Sequence, residues 1–207
     1  MNPKNLFLFA LGGIVVLALG FALLPSGTPR QPVHVVLFFD TSGSADAEVA
    51  RYRLAAFRLS SSLRPRVDHL TIARFDRNAS EVSGPSIPAS EEELLDLIDI
   101  ALHARSGRPI TKQEAPLLLA ERLLRNSTHE AVIVVLTDGG HDDFSSQSHE
   151  SLREVASQLS LSKTLKKVIY AGTRVGNREL LRNRLTPLGS KLRFTELTDL
   201  IREVQER

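Results

Sequence analysis

The chain has 207 residues, enough for one ordinary domain of about 100–200 residues plus an appendage. Its 26 basic and 24 acidic side chains leave a net charge of +2, which predicts no strong field toward nucleic acid, and 24% charged with 42% hydrophobic residues is a globular composition rather than a disordered one. Cysteine is absent, which excludes disulfide frameworks, thiol nucleophiles, thiolate metal sites and lipid anchoring through a cysteine.

The appendage comes first. Residues 6–24, LFLFALGGIVVLALGFALL, make about 19 residues without a charge, and at about 1.5 Å per residue such a helix crosses a hydrocarbon core of about 30 Å. The length predicts a single-pass membrane anchor. The competing reading is a cleaved signal peptide, with Ala18 and Gly20 forming the small-x-small site. Lys4 and the terminal amine precede the segment and only Arg30 follows it closely, so the charge rule predicts a cytoplasmic tail (1–5) and a main domain outside, periplasmic or extracellular. The stretch PSGTPRQP (25–32) has the composition of a short extended linker, leaving 33–207 as the folded domain.

VHVVLFF (33–39) is nearly all apolar, which suits a strand covered on both faces of a parallel sheet. Val49, Tyr52, Ala56, Leu59 and Leu63 then recur at spacings of three and four, the stripe of an amphipathic helix, and HLTIARF (69–75) reads as a second strand. Glycine, serines and two prolines between Asp76 and Pro88 predict a loop or a short edge strand. A helix begins at Ser90, whose hydroxyl and three following glutamates suit a helix amino terminus. SGRPI interrupts, and helix resumes with Thr111 as its cap, although Pro116 then sits deep enough to suggest a kink. A buried strand follows at 131–136, then alternating helix, strand (KKVIYAGT), helix, short strand (KLRFTEL) and a closing helix. Strands alternating with helices predict an α/β fold, a doubly wound and mostly parallel sheet with helices on both faces. In such sheets ligands bind outside the carboxyl ends of the strands, near the point where strand order reverses.

Two strands end in acid chemistry at that edge. The first runs into DTSGS, placing Asp40, Ser42 and Ser44 at alternate positions; the strand at 131–136 runs into LTDGG, with Asp138. Asp40, Ser42 and Ser44 read either as a metal site or as a capped strand-to-helix turn. With Asp138 and one more hydroxyl the set suits Mg2+ (or Mn2+), which takes near-octahedral hard oxygens, better than calcium with its several carboxylates. Thr111 reads either as a helix cap or as that further hydroxyl. His141, Asp142 and Asp143 form a solvated loop or a second ion site, and His34 and His103 read as structural histidines. Arginines in RYRLAAFR make a solvated helix face or a partner surface, while Asn78 and Asn126 head glycosylation sequons.

In these two motifs, DTSGS and LTDGG, the chain resembles the von Willebrand factor A (VWA) family, shared with integrin inserted domains, over nearly all of 33–207. DTSGS is similar to that family's Asp-x-Ser-x-Ser motif, the metal-ion-dependent adhesion site (MIDAS). The resemblance implies that Ser42 and Ser44 hold the ion through hydroxyls, that Asp40 and Asp138 hold it directly or through water, and that Thr111 supplies the remaining hydroxyl. There the family usually carries Gly-Gly before the threonine, where this chain reads RPIT. The implied function is not enzymatic: a membrane-tethered module for adhesion or assembly, whose metal accepts a Glu or Asp carboxylate from a partner protein. Two alternatives stand beside it. One is a haloacid-dehalogenase-like, magnesium-dependent phosphatase with Asp40 as nucleophile, against which Ser42 occupies the place of the second aspartate and no convincing lysine lies between the acidic loops. The other is a metal-independent structural module. Oligomeric state is not legible.

Overall fold

The computed structural model describes residues 31–103, 111–125, 127–140 and 146–206. The apolar segment 6–24, the tail before it, linker residues 25–30, Asn126, His141, Asp142 and Asp143 lie outside the described residues. Among those described, no helix is long and apolar enough to cross a membrane.

The elements run β1 (Val33–Asp40), a 3-10 turn (Gly43–Glu48), α1 (Val49–Ser61), β2 (His69–Phe75), β3 (Ala79–Ser83), α2 (Glu91–His103), α3 (Glu114–Leu124), β4 (Glu130–Leu136), α4 (Ser146–Ser160), β5 (Leu165–Ala171), α5 (Val175–Arg184), β6 (Leu192–Thr195) and α6 (Leu200–Gln205). The six strands form one sheet in the order β3-β2-β1-β4-β5-β6. All pairs are parallel except β2 with β3, which is antiparallel at the edge, as the prolines and serines of that segment predict.

β1 sits in the middle and every residue of it is buried. Its side chains alternate between two cores, as strand geometry requires. Val33, Val35, Leu37 and Phe39 join Tyr52 and Leu59 of α1, Leu94 and Ile98 of α2, and Leu200 of α6. Val36 and Phe38 join Leu117 of α3, Leu152 and Ala156 of α4, and Leu181 of α5. The stripe predicted for α1 is the buried one.

Two helix starts differ in how legible they were. At α2, Ser90 Oγ accepts from Glu93 N (3.1 Å) and the Glu93 carboxylate accepts from Ala89 N (2.8 Å), a capping box displaced by one residue on its return bond. At α3 the expected cap fails: the helix begins at Glu114 after Gln113, and Thr111 lies before it. Residues 111–113 are instead tied across to the end of β2, with Lys112 N donating to Asp76 O at 2.9 Å. Pro116 therefore falls in the first turn, where a helix has no use for the missing N–H.

Candidate metal-ion site

β1 and β4 are neighbours, and strand order reverses between them; Asp40 ends the first and Thr137–Asp138 follow the second. Chain separation of about a hundred residues thus becomes hydrogen-bond distance. Thr137 Oγ1 donates to Asp40 Oδ2 at 2.6 Å, and Ser42 N donates to Asp40 Oδ1 at 3.0 Å. Ser42 Oγ and Ser44 Oγ lie 3.2 Å apart, and Ser44 Oγ donates to Asp138 Oδ1 at 3.4 Å. Four of the five predicted side chains, Asp40, Ser42, Ser44 and Asp138, are therefore one connected group. Thr111 is fully buried on the segment leading to α3. Two residues on, Gln113 donates from Nε2 to Thr137 Oγ1 (3.3 Å) and Gly140 O (2.8 Å), so that segment reaches the same sheet edge.

The turn after β4 is shaped by its glycines. Gly139 has φ +80°, and a Cβ there would lie 2.4 Å from Thr173 Cγ2. A Cβ on Gly140 would stand 3.1 Å from Asp138 Oδ1 and 3.3 Å from Ser44 Oγ, so glycine keeps clear the space between these oxygens.

The electrostatics are unbalanced. Asp40 and Asp138 are each 1% exposed. Asp40 receives a hydroxyl and an amide but no cation among the described residues, and burial pushes its carboxyl up to about 6, with the charge of Asp138 adding to the rise against the pull of the Ser42 and Thr137 hydrogen bonds. Among the described residues Asp138 has one basic neighbour, Arg174, whose guanidinium stands 3.4 Å from Oδ2 on a side chain that is 60% exposed. Asp138 O accepts from Arg174 N and Asn177 Nδ2, both at 3.0 Å, which holds the start of α5 against the turn. Two buried carboxylates, of which only Asp138 meets a peripheral arginine among the described residues, make a place short of positive charge. The donor set around it is carboxylate and hydroxyl oxygen, which fits a hard divalent cation. Among the described residues no three His, Asp or Glu side chains gather as a metal cluster, so any ion here would depend on the hydroxyls.

Sequence reasoning passed over Thr137, Gln113, Arg174 and Asn177. Thr137 stood in the LTDGG motif, beside the acid it was overshadowed by. Arg174 and Asn177 follow β5, another strand ending at this edge, and that position was their only signal.

No protein-family model matches the sequence, and no curated protein matches it. Solved structures do. Proximal thread matrix protein 1 from the mussel byssus superposes with TM-score 0.63 at 19% identity, covering 84% of this chain and 45% of that one; a further structure of the mussel protein has a zinc-occupied MIDAS motif. The chain has a VWA-type fold. The likeness in fold extends to the PilB minor pilin from Streptococcus sanguinis, TM-score 0.63 at 12% identity, covering 86% of this chain and 62% of that one. It extends also to BatB from Bacteroides thetaiotaomicron, a conserved hypothetical protein, TM-score 0.63 at 16% identity, covering 84% of this chain and 98% of that one. The chain thus spans less than two thirds of the mussel and pilin proteins, whereas its match covers almost the whole of BatB.

Proposed function

We propose that this chain is a membrane-tethered VWA module that binds a protein partner through a divalent cation, Mg2+ or Mn2+, held by Asp40, Ser42, Ser44, Thr111 and Asp138. The observation that carries the reading is the pair of buried carboxylates, each 1% exposed, linked through serine hydroxyls and without a buried counter-charge among the described residues. The zinc-occupied MIDAS of the mussel protein supports it by showing that this fold can hold a divalent ion at such a motif. A bound ion would supply an electrophilic coordination position for a partner's Glu or Asp. The chain's own part is to hold the oxygens: Thr137 and Ser42 N fix the Asp40 carboxylate, Gly140 N fixes Asp138 at 2.8 Å, and Gly140 leaves room beside it. In this reading residues 6–24 anchor the module, residues 25–32 space it from the bilayer, and the VWA domain faces the outside.

The test is affinity capture by the full-length chain in magnesium and in EDTA, wild type beside Ser42→Ala, with the captured protein then altered at its acidic residues. Capture that needs magnesium, the Ser42 hydroxyl and one partner carboxylate is the expected result. Capture indifferent to EDTA and to Ser42→Ala contradicts it in favour of a metal-independent module. Hydrolysis of a phosphate monoester that disappears in Asp40→Asn contradicts it in favour of the phosphatase.

A further inference from the structure

Tyr52 lies in the first turn of α1, just after the loop that carries Ser42 and Ser44, and none of its surface is exposed. Its ring runs against the turn that follows β5: Cε1 is 3.1 Å from where a Cβ on Gly172 would stand, and Gly172 has φ +83°. The ring therefore crosses beneath the loops at the sheet edge, in one core with Phe39 and Leu136, the residues that precede Asp40 and Thr137. The hydroxyl at its tip is fully buried and has no hydrogen-bond partner among the described residues.

That is an odd place for tyrosine. Phenylalanine would fill the same core without burying an unsatisfied hydroxyl. Tyr170, the other tyrosine, also buries an unpartnered hydroxyl, but on the opposite face of the sheet, with Glu114 as the one acid acting on it. The Tyr52 phenol differs in its surroundings. Burial first, then the negative charges of Asp40, Asp138 and Glu48, hold its proton firmly in place against the smaller opposing effect of Arg174. The hydroxyl is a retained donor in the field of the two buried carboxylates.

We propose that Tyr52 is a positioning residue of the metal site, its hydroxyl completing the hydrogen bonds of the ion's water shell. The inference rests on the metal-binding reading above. Magnesium usually keeps several of its waters, and a metal-bound water needs an acceptor. A phenol hydroxyl can accept from such a water, and a phenyl ring cannot. Tyr52 does not touch the ion; it acts on the groups that do.

The chain has two tyrosines and no tryptophan, so Tyr170→Phe leaves Tyr52 as the sole reporter of near-ultraviolet absorbance and fluorescence at wavelengths where phenylalanine is silent. Magnesium is titrated into the full-length chain by calorimetry, as wild type, Tyr52→Phe and Tyr170→Phe, with melting in EDTA as the folding control. The expected result is binding by the wild type, affinity about 10-fold weaker in Tyr52→Phe with an EDTA melt that is unchanged or raised, and a tyrosine spectral shift that saturates with the ion in Tyr170→Phe. Equal affinity in Tyr52→Phe with a flat tyrosine spectrum overturns the inference while leaving the metal site standing. No binding by the wild type overturns both.

Discussion

Two aspartates are buried at opposite ends of this sheet, and they are treated in opposite ways. Asp68, 4% exposed, precedes β2 at the amino edge of the strands; it accepts from Val33 N (3.1 Å), Arg64 N (2.9 Å) and the Arg64 guanidinium (2.8 and 3.1 Å). Burial opposes its charge, but the Arg64 and Val33 hydrogen bonds prevail and hold the carboxyl down at about 2. Asp40, at the carboxyl edge, has hydroxyl and amide partners without a cation and sits up at about 6. The difference separates two uses of a buried acid. Asp68 has its counter-charge supplied by the fold and ties the entry of β1 to the turn before β2. Among the described residues Asp40 has none, a standing cost that a bound cation would remove.

Substitution should separate these roles. Asp68→Ala strands a guanidinium and two backbone donors and is expected to cost about 2–4 kcal/mol by urea unfolding. Asp40→Asn, measured in EDTA near pH 7, is expected to leave the midpoint unchanged or raise it, because it removes a buried charge. An equal loss in both variants would erase the distinction.

An added ion should then reverse the ranking. At about 100 Kd of magnesium the wild type is expected to gain about 2.7 kcal/mol, read as a rise in melting temperature, and Asp40→Asn is expected to gain nothing. Asp68→Ala, though less stable, should gain as much as the wild type.

The amino edge also carries a pH response. His34 Nε2 is 2.9 Å from Thr71 Oγ1, and its ring lies 6.2 Å from that of His69, which is 4.4 Å from that of His129. Burial, then the charges of His69 and His129, pushes His34 down to about 4. The unfolded chain takes up this proton first, so the stability His34 contributes is complete above about pH 6.5 and is lost as pH falls toward 4. Between pH 7 and pH 5 the metal-free protein should lose about 1–2 kcal/mol that His34→Gln does not lose, by denaturant melts at the two values.

The smallest effect belongs to Arg174. Its exposed ion pair with Asp138 should contribute less than about 1 kcal/mol to folding. Arg174→Ala should nonetheless tighten magnesium several-fold by calorimetry, since it removes a cation competing for Asp138.

Much of the fold was legible because the strongest signals are one-dimensional. The unbroken apolar runs ending at Phe39 and Leu136 define buried parallel strands, and the Tyr52, Ala56, Leu59 stripe defines a helix face. The acids at the two strand ends were equally plain. What stayed hidden depends on which loops become neighbours. Thr111, Lys112 and Gln113 all looked like a helix start, and only the bond from Lys112 N to Asp76 O shows that the segment is pinned to the end of β2 first. Thr137 as the clamp on Asp40 and Arg174 as the neighbour of Asp138 need the strand order β1-β4-β5, which no local pattern contains. Tyr52 was read as a stripe residue, and its ring is one; the hydroxyl carries the rest.

The most direct measurement is calorimetric titration of Mg2+ and Mn2+ into the full-length chain beside Asp40→Asn and Ser42→Ala. The account predicts one ion per chain, no binding in Asp40→Asn and clearly weaker binding in Ser42→Ala. No binding by the wild type, or binding that both variants retain in full, would contradict it.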